Sequence, residues 1–107
     1  MKTREEKKFS KYFKAMGDPS RLKILYLLSS GEKTVNEIVD KMNLSQSTVS
    51  RHLGVLREAE IVVDRRDGQK IYYSLNKMSI ESCCSGFCDC LEIKIIDRKT
   101  GKTKKNG

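Results

Sequence analysis

Ten consecutive residues carry the clearest helical signal in the chain: Leu44-Ser45-Gln46-Ser47-Thr48-Val49-Ser50-Arg51-His52-Leu53. The hydroxyl of Ser45 can accept a free backbone N–H at the start of a helix, which makes Ser45 a suitable N-cap. Val49, Leu53 and Leu56 follow at helical spacing, so one side of this helix is apolar. We therefore predict a helix from Gln46 to about Glu60.

A shorter helix precedes it. Thr34 and Glu37 form a T-x-x-E capping box, in which each side chain satisfies a free N–H at the helix start. The buried face of this helix is supplied by Val35, Ile38, Val39 and Met42. Asn43 and Leu44 interrupt the pattern before Ser45. Two short helices joined by a tight turn are typical of a helix-turn-helix.

Two more helices are predicted upstream. The first ends near Gly17 and has an apolar face at i, i+3, i+4 and i+7, formed by Phe9, Tyr12, Phe13 and Met16. Asp18-Pro19 then supplies an N-cap and a proline at the first helical position. The second helix is apolar on most sides and stops at Ser29-Ser30-Gly31, so we expect it at the centre of the core.

The spacing changes from helical to alternating after the fourth helix. Residues 61–66 and 69–75 are rich in β-branched and aromatic side chains, and Asp67-Gly68 lies between them. This pattern predicts a β-hairpin, and Asp-Gly favours a type I′ turn. The fold class is therefore mainly α with a β-hairpin wing, a winged helix-turn-helix.

The fourth helix and the hairpin carry side chains suited to DNA. Glutamine pairs with adenine and arginine with guanine in the major groove, while serine and threonine contact bases or phosphates. The N-terminal part of the second helix of a helix-turn-helix enters that groove. On its exposed face we expect Ser45, Gln46, Ser47, Thr48, Ser50, Arg51 and His52. Arg65, Arg66 and Lys70, near the hairpin tip, are candidates for the flanking DNA backbone or minor groove.

These segments resemble the ArsR/SmtB family of metal-sensing transcriptional repressors. The similarity covers roughly residues 9–92 and is carried by residues 16–25, 44–53, 56–59 and 67–75. The resemblance implies a homodimer whose first and last helices form the subunit interface. It also implies binding to palindromic, double-stranded operator DNA and release when an inducer binds. Two-fold symmetry then places the half-sites one helical turn (~34 Å) apart.

The net charge of +8 is concentrated at the ends of the 107-residue chain. Residues 1–17 carry six basic and two acidic side chains, and residues 98–107 carry five basic and none acidic. A basic chain favours nucleic acid as a partner. We expect one domain over residues 1–97, with a Cys-rich dimerisation and sensor segment at its end, and a disordered basic tail over 98–107.

Several other classes of protein are disfavoured by the sequence. The length is too small for a large catalytic α/β fold, and neither a Ser-His-Asp set nor paired catalytic carboxylates can be assembled, so we do not expect an enzyme. No stretch approaches the ~20 apolar residues of a membrane span. Residues 1–8 lack the apolar core of a signal peptide, which predicts a cytoplasmic protein with reduced thiols.

Four cysteines lie within eight residues: Cys83, Cys84, Cys88 and Cys90. On an unbroken helix, Cys84 and Cys88 lie about 6 Å apart on one face. Cys83 and Cys90 share another face but stand ~10 Å apart along the axis. One ion can bind all four sulfurs only if the helix unwinds or if two subunits contribute thiols. Gly86 lowers the free energy needed for unwinding, because glycine tolerates non-helical backbone conformations. The apolar pattern after Asn76 predicts a final helix or helical turn that is interrupted around Gly86, with Met78, Ile80, Leu91, Ile93, Ile95 and Ile96 as its apolar residues.

The cluster favours a thiophilic inducer. Soft thiolates select Cd(II) or Pb(II), with Zn(II) less suited, and As(III) and Sb(III) prefer three sulfurs in a pyramid. Cys83, Cys84 and Cys90 resemble the vicinal pair plus third cysteine by which some family members bind trivalent arsenic. Asp89 and Glu92 are expected to face solvent rather than an ion.

Two alternative roles for the cysteines are compatible with the same fold, and a third alternative is a different class of protein. Clustered thiols also form disulfides reversibly, so thiol redox or persulfide sensing is an alternative switch. The cysteines can also be inert buried thiols or a permanent zinc staple. A small thiol oxidoreductase or sulfur carrier is the alternative from another class, but the chain lacks Cys-x-x-Cys and a βαβ pattern.

Overall fold

The computed structural model describes residues 2–94 and 101. These residues form five helices and a three-stranded sheet. In chain order the elements are α1 (Thr3–Met16), α2 (Pro19–Leu28), β1 (Lys33–Thr34), α3 (Val35–Lys41), α4 (Gln46–Glu58), β2 (Val62–Asp67), β3 (Lys70–Leu75) and α5 (Lys77–Cys90). The predicted winged helix-turn-helix is confirmed, and the predicted tail over 98–107 lies outside the described residues apart from Gly101.

The helix starts follow the predicted caps. The Asp18 carboxylate accepts hydrogen bonds from the backbone N–H of Ser20 (2.8 Å) and Arg21 (3.1 Å). Thr34 and Glu37 form the reciprocal capping box at the start of α3. Ser45 Oγ accepts the N–H of Thr48 at 3.2 Å and caps α4. These local bonds fix where the two helices of the helix-turn-helix begin.

One hydrophobic core joins the elements. Its fully buried centre consists of α2, α3, α4 and the start of β2, through Ile24, Ile38, Val49, Leu53, Leu56, Ile61 and Val62. The face of α1 adds Phe9, Tyr12 and Ala15, and α5 adds Cys83. Leu22 and Tyr26 on the opposite side of α2 are exposed, so α2 is central on one face rather than on most sides.

The sheet contains a strand that the sequence pattern did not indicate. Its order is β1-β3-β2, all antiparallel, with Lys33 opposite Tyr73 and Thr34 opposite Tyr72. Two residues are too few to show an alternating pattern, so the presence of β1 depends on its pairing with β3. This pairing ties the start of α3 to the wing.

The type I′ turn was a wrong prediction. Asp67 pairs with Lys70, so Gly68 and Gln69 are the central residues of the turn. Gly68 has a φ of 63°, while Gln69 is not among the residues with positive φ. A type I′ turn needs positive φ at both central positions, whereas a glycine at the first position alone is the requirement of type II′.

The interruption of the last helix was also a wrong prediction. α5 runs continuously through Gly86 to Cys90. The reason is tertiary packing: the ring of Phe87 lies 5.4 Å from that of Phe9 and 4.8 Å from that of Phe13, both edge to face. These contacts hold the helix against α1 directly after Gly86, and the buried Cys83 anchors it in the core before Gly86. Leu91 and Ile93, predicted as part of the helical pattern, follow its end, and Ile95 and Ile96 lie outside the described residues.

Within residues 2–94 and 101, no helix is both long enough and apolar enough to cross a membrane.

Candidate DNA interface and cysteine cluster

The start of α4 carries an exposed polar face. Gln46, Ser47, Ser50 and Arg51 are all exposed, and they lie on neighbouring turns of the helix. The hydroxyl of Ser45 donates to Thr48 Oγ1 at 2.9 Å and lies 3.2 Å from Ser47 Oγ. Ser45 and Thr48 therefore stabilise the helix start, and Gln46, Ser47, Ser50 and Arg51 project most freely from it.

His52 does not lie on the exposed face, so its predicted position was wrong. Its side chain is buried, with 8% of the residue exposed. The physical reason is spacing, because residue 52 follows Val49 by three positions and precedes Leu56 by four, which places it on the apolar side of the helix. His52 Nδ1 lies 3.3 Å from Nη1 of Arg21. Since a guanidinium only donates, Nδ1 is the acceptor in this contact.

Arg21 is a residue whose role the sequence pattern did not indicate. Its Nε donates to the carbonyl of Ala15 at 2.6 Å, and its Nη2 donates to the carbonyl of Lys14 at 3.3 Å. With Nη1 on His52, the guanidinium joins the end of α1 to α4. The only sequence signal was its place directly after the Asp18-Pro19-Ser20 cap.

A groove of about 720 Å³ lies beside this contact, between α1, α2 and α4. Ala15, Gly54 and Val55 line it, together with several basic residues. The lining cations are Lys11, Lys14, Arg21, Arg51 and Arg57. The groove places Arg51 of the exposed face of α4 close to the basic end of α1.

The wing separates its three predicted basic residues into two groups. Arg65 is held by Glu32, whose carboxylate accepts from Nη2 at 2.6 Å and from Nε at 3.4 Å. The Arg65 guanidinium also lies 4.7 Å from the centre of the Tyr72 ring. The bond to Glu32 raises the pKa of Arg65. Arg66 and Lys70 are exposed, and neither forms an ion pair with another described residue.

The wing tip and the start of α4 line one groove. Gln69 and Lys70 of the wing face Gln46 of α4 across a space of about 470 Å³, which Thr34 and Glu37 also line. The structure therefore brings Gln46 and Lys70, two of the predicted DNA-contact residues, to the same groove.

The four cysteines lie in different surroundings, and all are free thiols. Cys83 belongs to the core, and burial raises its pKa. Cys84 is exposed, and its Sγ lies 3.3 Å from the Tyr12 hydroxyl. Burial of Tyr12 and its contact with Cys84 raise the pKa of that phenol. Cys88 is half-buried.

Cys90 connects the end of α5 to the start of α1. Its thiol donates to Glu5 Oε2 at 3.2 Å. This hydrogen bond raises the pKa of Cys90 and lowers that of Glu5. Cys90 is thus held near the N-terminus of α1, whereas Cys84 contacts the same helix two turns later.

The thiols do not converge on one point. Among residues 2–94 and 101, no three His, Cys, Asp or Glu side chains are placed to hold a metal ion together. Because α5 is straight, the four sulfurs spread around its circumference and along its axis. Asp89 and Glu92 are exposed, as expected. A site with three sulfurs needs either a change in α5 or thiols from two subunits.

Comparisons with known proteins agree with this architecture. The profile of the family described as "Bacterial regulatory protein, arsR family" matches residues 18–63. The chain is 50% identical over 64 residues to the transcriptional repressor SdpR of Bacillus subtilis, covering 60% of this chain and 71% of that protein. It is 41% identical over 100 residues to an arsenical resistance operon repressor of Staphylococcus aureus, covering 85% and 96%. The crystal structure of NolR from Sinorhizobium fredii superimposes with a TM-score of 0.67 at 34% identity, covering 84% of this chain and 90% of that one.

Proposed function

The chain belongs to the ArsR family of bacterial transcriptional repressors, and from this premise we propose that it is a cytoplasmic, homodimeric repressor released from its operator by a thiophilic ion. The observation that carries the proposal is the presence of two separate polar sites in one small domain. An exposed face of α4 has the chemistry of base recognition, and a cluster of thiols lies on α5.

The DNA-binding part of the proposal rests on α4 and the wing. Gln46 and Arg51 are the residues that can read bases, as adenine and guanine ligands. Ser47 and Ser50 flank them as hydroxyl contacts, and Ser45 and Thr48 hold the helix start. Arg66 and Lys70 are the wing cations free to approach phosphates. Arg65 acts indirectly, because Glu32 holds it.

The dimer part rests on apolar side chains left uncovered on α1 and α5. Met78 is 85% exposed, and Leu91 and Ile93, directly after α5, are 49% and 51% exposed. Phe13 on α1 is exposed next to Phe87. Large apolar side chains left exposed along neighbouring helices are typical of a protein interface, and we infer that a second copy covers them.

The inducer part rests on the chemistry of the thiols. Sulfur ligands favour As(III), Sb(III), Cd(II) and Pb(II) over harder ions, with Zn(II) a weaker candidate. Cys84 is the exposed member of the adjacent pair and is the thiol that an incoming ion meets first. The same exposure makes Cys84 the thiol that an oxidant meets first, which keeps the redox switch as the second candidate.

One titration tests the whole proposal. Fluorescence anisotropy of the reduced protein on its own upstream DNA is followed while arsenite, Cd(II), Pb(II), Zn(II) or a thiol oxidant is added. Release by one soft ion at about one equivalent per subunit supports the metalloregulator. Release by the oxidant alone favours the redox switch. Failure to bind the DNA under every condition contradicts the assignment of α4.

A cysteine variant separates sensing from DNA binding. Cys84→Ser removes a soft ligand without changing the exposed face of α4, so we expect operator affinity to persist and release by the ion to be lost. Ser82→Ala, an exposed residue on the same helix, is the matched control and should release normally. Loss of operator binding by Cys84→Ser without any ion contradicts this separation.

A further inference from the structure

A series of hydrogen bonds connects the cysteine cluster on α5 to α4, by way of α1 and α2. The connection begins at Cys84, whose Sγ lies 3.3 Å from the hydroxyl of Tyr12. Tyr12 is buried, as is Ala15 one turn later on the same face of α1. Core packing therefore opposes a displacement of the Tyr12 side chain and passes it to the helix that carries the residue.

The connection continues at the end of α1. Arg21 donates to the carbonyl oxygens of Ala15 and Lys14, at 2.6 and 3.3 Å. These carbonyls belong to the last turn of α1, and that of Lys14 also accepts the backbone N–H of Gly17 at 3.3 Å. Arg21 thus binds the end of α1 by two bonds in the plane of its guanidinium, and the position of α1 sets the orientation of this plane.

The last contact reaches α4. Nη1 of Arg21 donates to Nδ1 of the buried His52, at 3.3 Å. The groove lined by Lys14, Gly54 and Val55 opens beside this contact, so α1 and α4 are not closely packed there. The guanidinium of Arg21 spans the gap and contacts His52. Arg51, on the exposed face of α4, directly precedes His52 in the chain.

We propose that Arg21 is a positioning residue that couples occupation of Cys84 to the orientation of α4. The inference rests on the proposed function. An ion that bonds to Cys84 Sγ displaces the thiol proton to water and engages the sulfur, so the hydrogen bond between this sulfur and the Tyr12 hydroxyl changes. Tyr12 and α1 then shift together, the guanidinium follows the carbonyls of Ala15 and Lys14, and His52 moves with it. The polar face of α4 leaves the orientation that fits the operator.

The test measures a ratio, the operator Kd at saturating Cd(II) divided by the operator Kd without it. A parallel titration of Cd(II)–thiolate absorbance, without DNA, shows whether the ion binds. For the unaltered protein we expect a ratio in the ordinary range of about 5–150. Tyr12→Phe keeps the ring and removes the hydroxyl, so the ratio should fall below about 2 while the Cd(II)–thiolate band persists. Tyr26→Phe, the same change on the exposed side of α2, should leave the ratio unchanged.

Three further variants test the part of the connection between Arg21 and His52, which is far from the sulfur. Arg21→Lys keeps the charge, but a single ammonium does not reproduce the planar arrangement of donors, so coupling should be lost while Cd(II) still binds. His52→Leu should also lose coupling. His52→Gln restores an acceptor and should recover part of the ratio, a rescue that a purely structural role does not predict.

The outcomes are distinguishable. If none of arsenite, antimonite, Cd(II) and Pb(II) releases the unaltered protein, the proposed function fails, and this inference fails with it. If the unaltered protein is released and Tyr12→Phe and Arg21→Lys are released by the same ratio, the inference alone is overturned. Loss of Cd(II) binding by Tyr12→Phe also overturns it, because Tyr12 then belongs to the ion site.

Discussion

Gly54 lies in the interior of α4, where glycine is unfavourable because it gains the most freedom on unfolding. A Cβ added at this position meets no atom within 4 Å. We therefore expect Gly54→Ala to raise the free energy of unfolding by about 0.5–1 kcal/mol. Urea unfolding followed by circular dichroism measures the change.

A second glycine provides the opposite control. Gly68 also has open space around its Cβ position, but its φ is 63°. A side chain is strained in this region, so Gly68→Ala should lower the unfolding free energy. Equal effects of the two substitutions would contradict the turn geometry of the wing.

Helical periodicity predicted the positions of some site residues, but not the contacts that others make. The exposed positions of Gln46, Ser47, Ser50 and Arg51 follow from the same periodicity that buries Val49 and Leu53. That periodicity also buries His52, although the polar stretch around it favours exposure. The partners of Arg65 and Arg21 are distant in sequence or belong to another helix, and no local pattern indicates them.

The helix caps make stability depend on pH. Hydrogen bonds from the backbone N–H of Arg21 and Ser20 lower the pKa of Asp18 in the folded state, and bonds from Thr34 lower that of Glu37. A lowered folded pKa adds stability above the ordinary carboxyl pKa of about 4. This stability is lost as the pH falls through the folded values. We expect the urea midpoint to fall between neutral pH and about pH 3.

An aspartate variant isolates this effect. Asparagine caps a helix about as well as aspartate but does not titrate, so Asp18→Asn should flatten part of the pH dependence. Asp40→Asn, at an exposed position within α3, is the control and should follow the unaltered protein. An undiminished acid transition in Asp18→Asn would count against the cap as its source.

The wing predicts unequal roles for adjacent arginines. Arg66 is exposed and available to phosphates, so Arg66→Ala should make the slope of log affinity against log salt shallower by about one for each phosphate that Arg66 neutralises. Arg65 is engaged with Glu32, so Arg65→Ala should leave the slope nearly unchanged. Anisotropy titrations at several salt concentrations measure both slopes. A larger change for Arg65→Ala would reverse the assignment.

Elements with local signals were predictable, and elements held by distant contacts were not. Caps and apolar periodicity predicted α1 to α4 because both are encoded within a few residues. The pairing of β1 depends on Tyr72 and Tyr73, about forty residues away. The continuity of α5 depends on Phe9 and Phe13 of α1, so Gly86 alone suggested a break that packing removes.

At the scale of the whole molecule, the uncovered apolar residues predict a dimer. Sedimentation equilibrium should give twice the chain mass of 12.3 kDa. Leu91→Glu together with Ile93→Glu places charges in the proposed interface and should shift the protein towards monomer and weaken operator binding. Tyr26→Glu alters an exposed apolar residue on α2 and should remain dimeric. Monomeric behaviour of the unaltered protein would contradict the interface.

The same scale explains why the proposed ion site was only partly predictable. The clustering of Cys83, Cys84, Cys88 and Cys90 is visible in the sequence, and helical geometry already showed that a straight helix keeps them apart. The structure adds their unequal exposure and their contacts with Tyr12 and Glu5. Which sulfurs meet around one ion depends on a second subunit or on a change in α5, and neither is encoded locally.

The strand order has a consequence for the protein at high concentration. β2 lies at one edge of the sheet, and the two-residue β1 lies at the other. An edge strand presents unpaired backbone groups to which a strand of another molecule can add, and charged side chains or very short strands oppose this. Residues 64–67 of β2 are Asp-Arg-Arg-Asp, all charged. The residues that give the wing its charge thus also protect the protein from edge-to-edge aggregation.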